Sequence, residues 1–260
     1  MLKPLVFLSV LGCCIFTNSA LAQDDGKGDA YVGIGARVRP AYEGADSQRG
    51  DAIPYVRLYG DHWFARTTQG ILEGGVRSNP FGRVVFGVQL AYEEGRIAEE
   101  SAFLQAHNFE DIDPSVSFGL HAETDWKIGP MPLNALARFR LDADSERGSH
   151  VDLRLTAGVF SRWSVKAGIF GQLTWSDEEA TQTSFGLTPQ QSIRTGLPVY
   201  SAGAGLRNIT MGILGTVDLS KHWLILWGLN ARRLEGDARN SPIVQEDTNW
   251  FANGGLAYRF

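Results

Sequence analysis

Cysteine is almost absent from this chain. The two present, Cys13 and Cys14, both lie in its first segment. The rest therefore has no thiol nucleophile, no thiolate metal site, no iron–sulfur centre and no disulfide to staple a small fold. A cationic surplus is missing too: 24 Lys and Arg against 29 Asp and Glu leave a net charge of −5. That balance argues against a nucleic-acid partner. Past the first segment, no apolar run approaches the roughly 20 residues that a membrane-crossing helix needs. The pair Gly33-x-Gly35 lacks the strand–helix setting of a dinucleotide loop and reads instead as close strand packing.

The opening residues read as an export leader. Lys3 supplies a positive start, Leu5 to Phe16 is apolar, and Ala20-Leu21-Ala22 offers the small-x-small pattern of a cleavage site. Residues 1–22 are thus expected to be a signal peptide, and 23–260 the folded part, starting at Gln23. Cys13 after Val10-Leu11-Gly12 is a rival lipoprotein site, but Ile15 and Phe16 carry the apolar run past it. Thirty glycines and a mean hydropathy of −0.14 look unlike a membrane protein. They suit one in which only every second residue meets lipid.

The dominant period is two. Val151, Leu153, Leu155, Ala157 and Val159 alternate with Asp152, Arg154, Thr156 and Gly158. Similar rows run through Val84–Tyr92, Val116–Trp126 and Val165–Trp175. Strict alternation means one apolar and one polar surround. These runs are long, closer to the 9–11 residues of a tilted membrane strand than to the five or six usual in soluble sheets. Aromatics gather near strand ends, at Trp63, Phe64, Tyr92, Trp126, Phe160, Trp175, Trp223, Trp250, Tyr258 and Phe260, where interfacial girdles belong.

Connections alternate between tight and long. Tight ones are expected at 60–62, 78–80, 129–130, 161–163 and 219–222; long polar ones at 41–52, 95–114, 143–149, 176–197 and 235–248. Short periplasmic turns and longer outer loops are the asymmetry of bacterial barrels. To keep that order, Trp63 to Arg77 must be a hairpin turning near Gln69-Gly70. The fold class that follows is all-β: an antiparallel transmembrane outer-membrane barrel of about twelve strands, with ten or fourteen as alternatives. The last strand alternates Trp250, Ala252, Gly254, Leu256, Tyr258 and Phe260 and stops on the aromatic. Tyr258 and Phe260 are similar to the C-terminal signal read by the barrel assembly machinery.

Four stretches carry a family likeness: Pro40-Ala41-Tyr42-Glu43-Gly44-Ala45-Asp46, Ser184 to Ser192 with Gly196 to Tyr200, Ser241-Pro242-Ile243-Val244, and Leu256 to Phe260. In this order they resemble the MipA/OmpV outer-membrane proteins across the chain after the leader. Ala45 departs from the serine common there. The motif residues are Pro40, Tyr42, Gly44, Asp46, Phe185, Gly186, Pro189, Ser241 and Pro242. The resemblance implies a non-enzymatic barrel without cofactor that scaffolds murein remodelling, linking a lytic transglycosylase to a penicillin-binding protein. Other members are described as antigens or adhesins, so adhesion through the long outer loops stays open, as does a narrow porin or transporter for small solutes with a charged lumen.

Parity places Arg37, Arg39, Arg57, Arg138, Arg140, Arg154, Lys166, Arg232 and Arg259 inward. Glu73, Glu93, His121, Glu123, Asp125, Asp142, Asp152 and Asp218 oppose them. These charges could select anions or sugars. In a narrow lumen, mutual ion pairing is the expectation the physics favours. His121, the histidine assigned to a strand, could serve Ser117 as a base, but carboxylates satisfying it in the lumen are the simpler reading. The loop acids Glu99, Glu100, Asp111, Asp113, Asp177, Glu178 and Glu179 lack the ligand order of a calcium loop.

Overall fold

The computed structural model describes residues 30–260, so the expected leader and its Gln23 start lie outside the described residues. Twelve strands run β1 (Tyr31–Pro40), β2 (Gln48–Tyr59), β3 (Trp63–Thr68), β4 (Ile71–Ser78), β5 (Val84–Glu93), β6 (Ser115–Ile128), β7 (Met131–Asp142), β8 (Ser149–Arg162), β9 (Val165–Ser176), β10 (Gly205–Asp218), β11 (Trp223–Leu234) and β12 (Thr248–Arg259). Each pairs antiparallel with its neighbours. β12 returns to β1, from Tyr31↔Arg259 to Val38↔Ala252, so the sheet is a closed barrel with no free side. Closure satisfies the backbone where lipid offers no hydrogen bonds.

The wall is inverted relative to a soluble protein. Ile34, Val88, Phe118, Leu155 and Met211 stand exposed on the outside, whereas Arg138, Glu73, Asp152, Gln89 and Thr210 are fully buried within. Hydrocarbon outside and an enclosed polar interior produce that arrangement along every second residue.

The hairpin of β3 and β4 is the shortest part of the wall, six and eight residues long. It turns at Gln69 (φ 52°) and Gly70 (φ 87°), as parity required. Both left-handed values match a tight two-residue hairpin turn. A Cβ on Gly70 would sit 2.3 Å from Arg37 Nη1, so a side chain here would displace the end of this inward arginine as well as strain the left-handed turn.

Several local expectations need correction. The first long loop covers 41–47, not 41–52, because β2 starts at Gln48 and pairs up to Pro40. Its Arg49 and Asp51 point inward and Gly50 and Ala52 outward, a polar strand whose alternation hydropathy does not reveal. The β5–β6 loop holds a short helix, α1 (Ala102–Ala106), and the loop after β9 is longer than expected, running over 177–204 and holding α2 (Glu178–Phe185) and α3 (Pro189–Thr195). Phe64 is no girdle residue: Trp63 takes the lipid side, so Phe64 turns inward, 2% exposed, edge-on to His121 at 5.0 Å. A bulge between Gly158 and Phe160 shifts the β8–β9 register and leaves Phe160 exposed. His150 also lies on a strand, the second residue of β8.

Candidate functional site

At the long-loop end the connections fold together rather than spreading into solvent. Tyr42, Leu104, Phe109, Phe185, Leu187 and Ile243 belong to one buried apolar cluster. Its members come from the β1–β2, β5–β6, β9–β10 and β11–β12 connections. The Tyr42 hydroxyl donates to the Ile243 carbonyl at 2.8 Å, and its ring stacks on Phe103 at 6.5 Å. Asn249 clasps the β1–β2 loop twice: its Oδ1 accepts from Gly44 N and its Nδ2 donates to Ala45 O, both at 2.8 Å. Ser241 Oγ donates to the Phe185 carbonyl at 2.5 Å. Helix α3 begins with a reciprocal capping box at Thr188 and Gln191, with Pro189 at its first turn.

Glu43 hangs beneath this lid. It accepts from Arg207 Nε at 2.9 Å and also from Arg207 Nη2 and Arg232 Nη1. Burial alone would push its carboxyl up, but the two guanidiniums outweigh burial and hold it at about 2. Burial pushes the Tyr42 hydroxyl well up and the Arg96 guanidinium down to about 10. Asp177 is held below its usual range despite burial, because it accepts from Ser149 and from the Ala180 N–H that opens α2.

The family-motif residues therefore divide. Tyr42, Gly44, Phe185 and Ser241 meet in the lid, with Pro242 beside them and Gly186 packed against Gln182. Asp46 and Pro189 lie exposed on its outside, and Pro40 ends β1.

Below the lid, the charged residues form a connected mesh. Arg138 donates to Glu73 Oε2 at 2.7 Å and to Asp152 Oδ2 at 2.8 and 3.0 Å. Glu73 also accepts from Arg66 at 2.6 Å and Gln89 at 2.8 Å, and Arg66 continues to Glu123 at 2.6 Å. Arg140 joins Asp152 to Glu93. Arg37 and Arg39 form a separate group with Asp51 and Glu94. Arg232 belongs to the lid latch, and Lys166 and Arg259 pair with Asp218 near the opposite mouth. Arg154 stands apart, its guanidinium 4.1 Å over the Phe170 ring.

His121 takes Gln89 Oε1 as its partner at 2.7 Å, not the carboxylates expected, because Glu123 turns to Arg66 and Asn134. The Ser117 hydroxyl donates to Glu93 at 2.6 Å rather than to His121. Among the described residues no group of three or more His, Cys, Asp or Glu side chains is arranged to hold a metal ion.

Two residues central to this geometry were not singled out from the sequence. Arg66 lies on a strand too short to show alternation, and Glu43 lies in a loop with partners 164 and 189 residues away. No local signal marks Arg66, and Glu43 is marked only by its place in the Pro40–Asp46 stretch that carries the family likeness.

Three solved structures are among those to which the chain is similar. An outer-membrane channel from Pseudomonas putida F1 is 11% identical, covers 92% of this chain and all of its own, and superposes with a TM-score of 0.44. LpxR from Salmonella typhimurium is 10% identical over 88% of this chain and 100% of its own, TM-score 0.42. OprB from Pseudomonas putida is 8% identical over 80% of this chain, TM-score 0.41; the present chain spans only 59% of that protein. No curated protein matches in sequence. The family-level match is extensive: with residues 32–260 covered, the chain belongs to the MltA-interacting protein MipA family of outer-membrane barrels.

Proposed function

We propose that this barrel scaffolds murein-remodelling enzymes at the outer membrane, holding a lytic transglycosylase and a penicillin-binding protein at its periplasmic side after export through a cleaved leader. The observation that carries this reading is the family match over residues 32–260, whose name describes an MltA-interacting protein. The lid supports it: a buried apolar cluster across the outer mouth leaves little room for an open conduit. Protein partners would then meet the short turns, among them Arg162-Trp163 and Lys221-His222, or residues 23–29. Trp163 is 85% exposed in such a turn. Affinity capture of the full chain from solubilised envelopes should co-recover a transglycosylase and a penicillin-binding protein. Recovery of neither, with the barrel intact, defeats the reading. A surface-adhesion role is favoured by one observation, Ile193 at 87% exposure on α3 at the outer end. Cell-binding assays with α3 removed would register it.

A further inference from the structure

The mesh does not fill the lumen. Below it, towards the short turns, lies a cavity of about 550 Å³ whose wall includes Tyr31, Tyr59, Lys166 and Arg259, all at or next to strand ends of that mouth. A smaller cavity of about 230 Å³ continues up to Tyr42, Glu43 and Phe185 under the lid. Arg37, Gln69, Gly70, Arg232 and Phe251 line both, so the tucked β3–β4 turn marks the boundary between them. The larger chamber lies on the periplasmic side of that turn, next to the short-turn mouth.

Its wall is one-sided in charge. Arg57, Arg66, Arg154, Lys166 and Arg232 are among its cations, whereas its carboxylates are Glu123 and Asp125. Most of these cations have acid partners. Arg154 forms no ion pair within 4 Å among the described residues; its Nε reaches only Thr156 Oγ1 at 3.3 Å. Its guanidinium carbon lies over the Phe170 ring, and among the described residues no acceptor engages either Nη group, which leaves both for a planar acceptor. On the same wall, Arg66 Nη2 is buried without a hydrogen-bond partner, the kind of orphan that a bound ion or water resolves. The volume falls within the range of small-molecule pockets.

We propose that the periplasmic half of the lumen is a binding chamber for a small organic oxyanion, a carboxylate or phosphate of about monosaccharide size, held by the edge of Arg154. A guanidinium fork matches such groups bidentately and matches a spherical halide poorly. This proposal does not depend on the scaffolding role.

The test uses the purified full chain in detergent, titrated in separate arms with citrate and with inorganic phosphate, at ionic strength held constant by sodium chloride. The readout is the thermal midpoint and intrinsic fluorescence. A saturable response to either oxyanion is expected, and the arm that responds identifies carboxylate or phosphate chemistry. Arg154→Gln should weaken that affinity about tenfold or more, while Arg194→Gln, which removes a cation on the outer face, leaves it unchanged. Heat-modifiable gel mobility verifies that each barrel is closed. If Arg154→Gln does not close, Phe170→Leu keeps the charge, removes its platform and should weaken binding several-fold. Absence of a saturable response in the unmodified chain overturns the proposal. So does equal affinity in Arg154→Gln or, where that barrel does not close, in Phe170→Leu.

Discussion

Tyr42 and Ile243 are 201 residues apart in sequence and joined by a 2.8 Å hydrogen bond from the tyrosine hydroxyl to the isoleucine carbonyl. The bond ties the first outer loop to the last, across the seam where β1 meets β12. Ile243 is 1% exposed, so its carbonyl has no ready access to water if the hydroxyl is removed. Tyr42→Phe should therefore loosen the lid by about 1–2 kcal/mol while leaving the wall intact. Protease cutting within residues 235–247 should speed up about fivefold or more. Heat-modifiable mobility of the barrel should not change. Equal cutting rates in the two proteins would show that the bond carries no weight.

Glu43 gives the lid an acid sensitivity of defined sign. Its carboxyl titrates at about 2 in the folded protein, below the ordinary value of 4.5. The stabilising contribution is then fully present above about 4.5 and disappears as pH falls towards 2. The difference is worth on the order of 3 kcal/mol at most. Loop protection from a protease active in acid, pepsin for example, should hold at pH 5 and fail progressively below 4. Glu43→Gln should be equally loose at both ends of that range. A pH response that survives in Glu43→Gln would assign the effect to another carboxylate.

The wall was legible in the sequence because lipid enforces it residue by residue. Val151 to Val159 alternates since each odd side chain meets hydrocarbon, and the short hairpin at Gln69-Gly70 follows from parity alone. The lid was legible only in part. Tyr42, Phe185 and Ser241 were marked by family resemblance, but their meeting in one core depends on loops that no period describes. The mesh shows the same divide. Arg138 and Asp152 lie on long alternating strands and could be placed inward, whereas Phe64 and Arg66 lie on a six-residue strand. Over so short a stretch, two alternative parities look alike. The Gln89–His121 contact was likewise invisible, because parity says which side a residue faces and not which neighbour it chooses.

Arg138 should be the costliest single charge to remove. Its side chain is 1% exposed and it holds Glu73 and Asp152, themselves 0% and 1% exposed. Arg138→Met keeps much of the volume but leaves two buried carboxylates with a partner lost, a change worth about 3–5 kcal/mol. The urea midpoint for unfolding from detergent should fall accordingly. Adding Glu73→Gln should restore part of the loss, since one of the two uncompensated charges is then gone. If the double variant is no more stable than the single one, the mesh does not act through charge pairing.

Conductance separates a lidded barrel from a pore. The unmodified chain in a planar bilayer should show no steady current, because the apolar lid spans the outer mouth and the β3–β4 turn narrows the lumen beneath it. Replacing residues 177–204 with a short Gly/Ser linker removes Phe185, Leu187 and Ala202 from the lid core and should produce openings. Those openings should favour anions, since Arg57, Arg154 and Lys166 line the chamber they expose. Lid removal and selectivity are thus two separate readings of one recording. A steady current before the loop is replaced would mean that the lid does not close the barrel. Cation preference after replacement would mean that the pairing acids, not the arginines, set the field in the lumen.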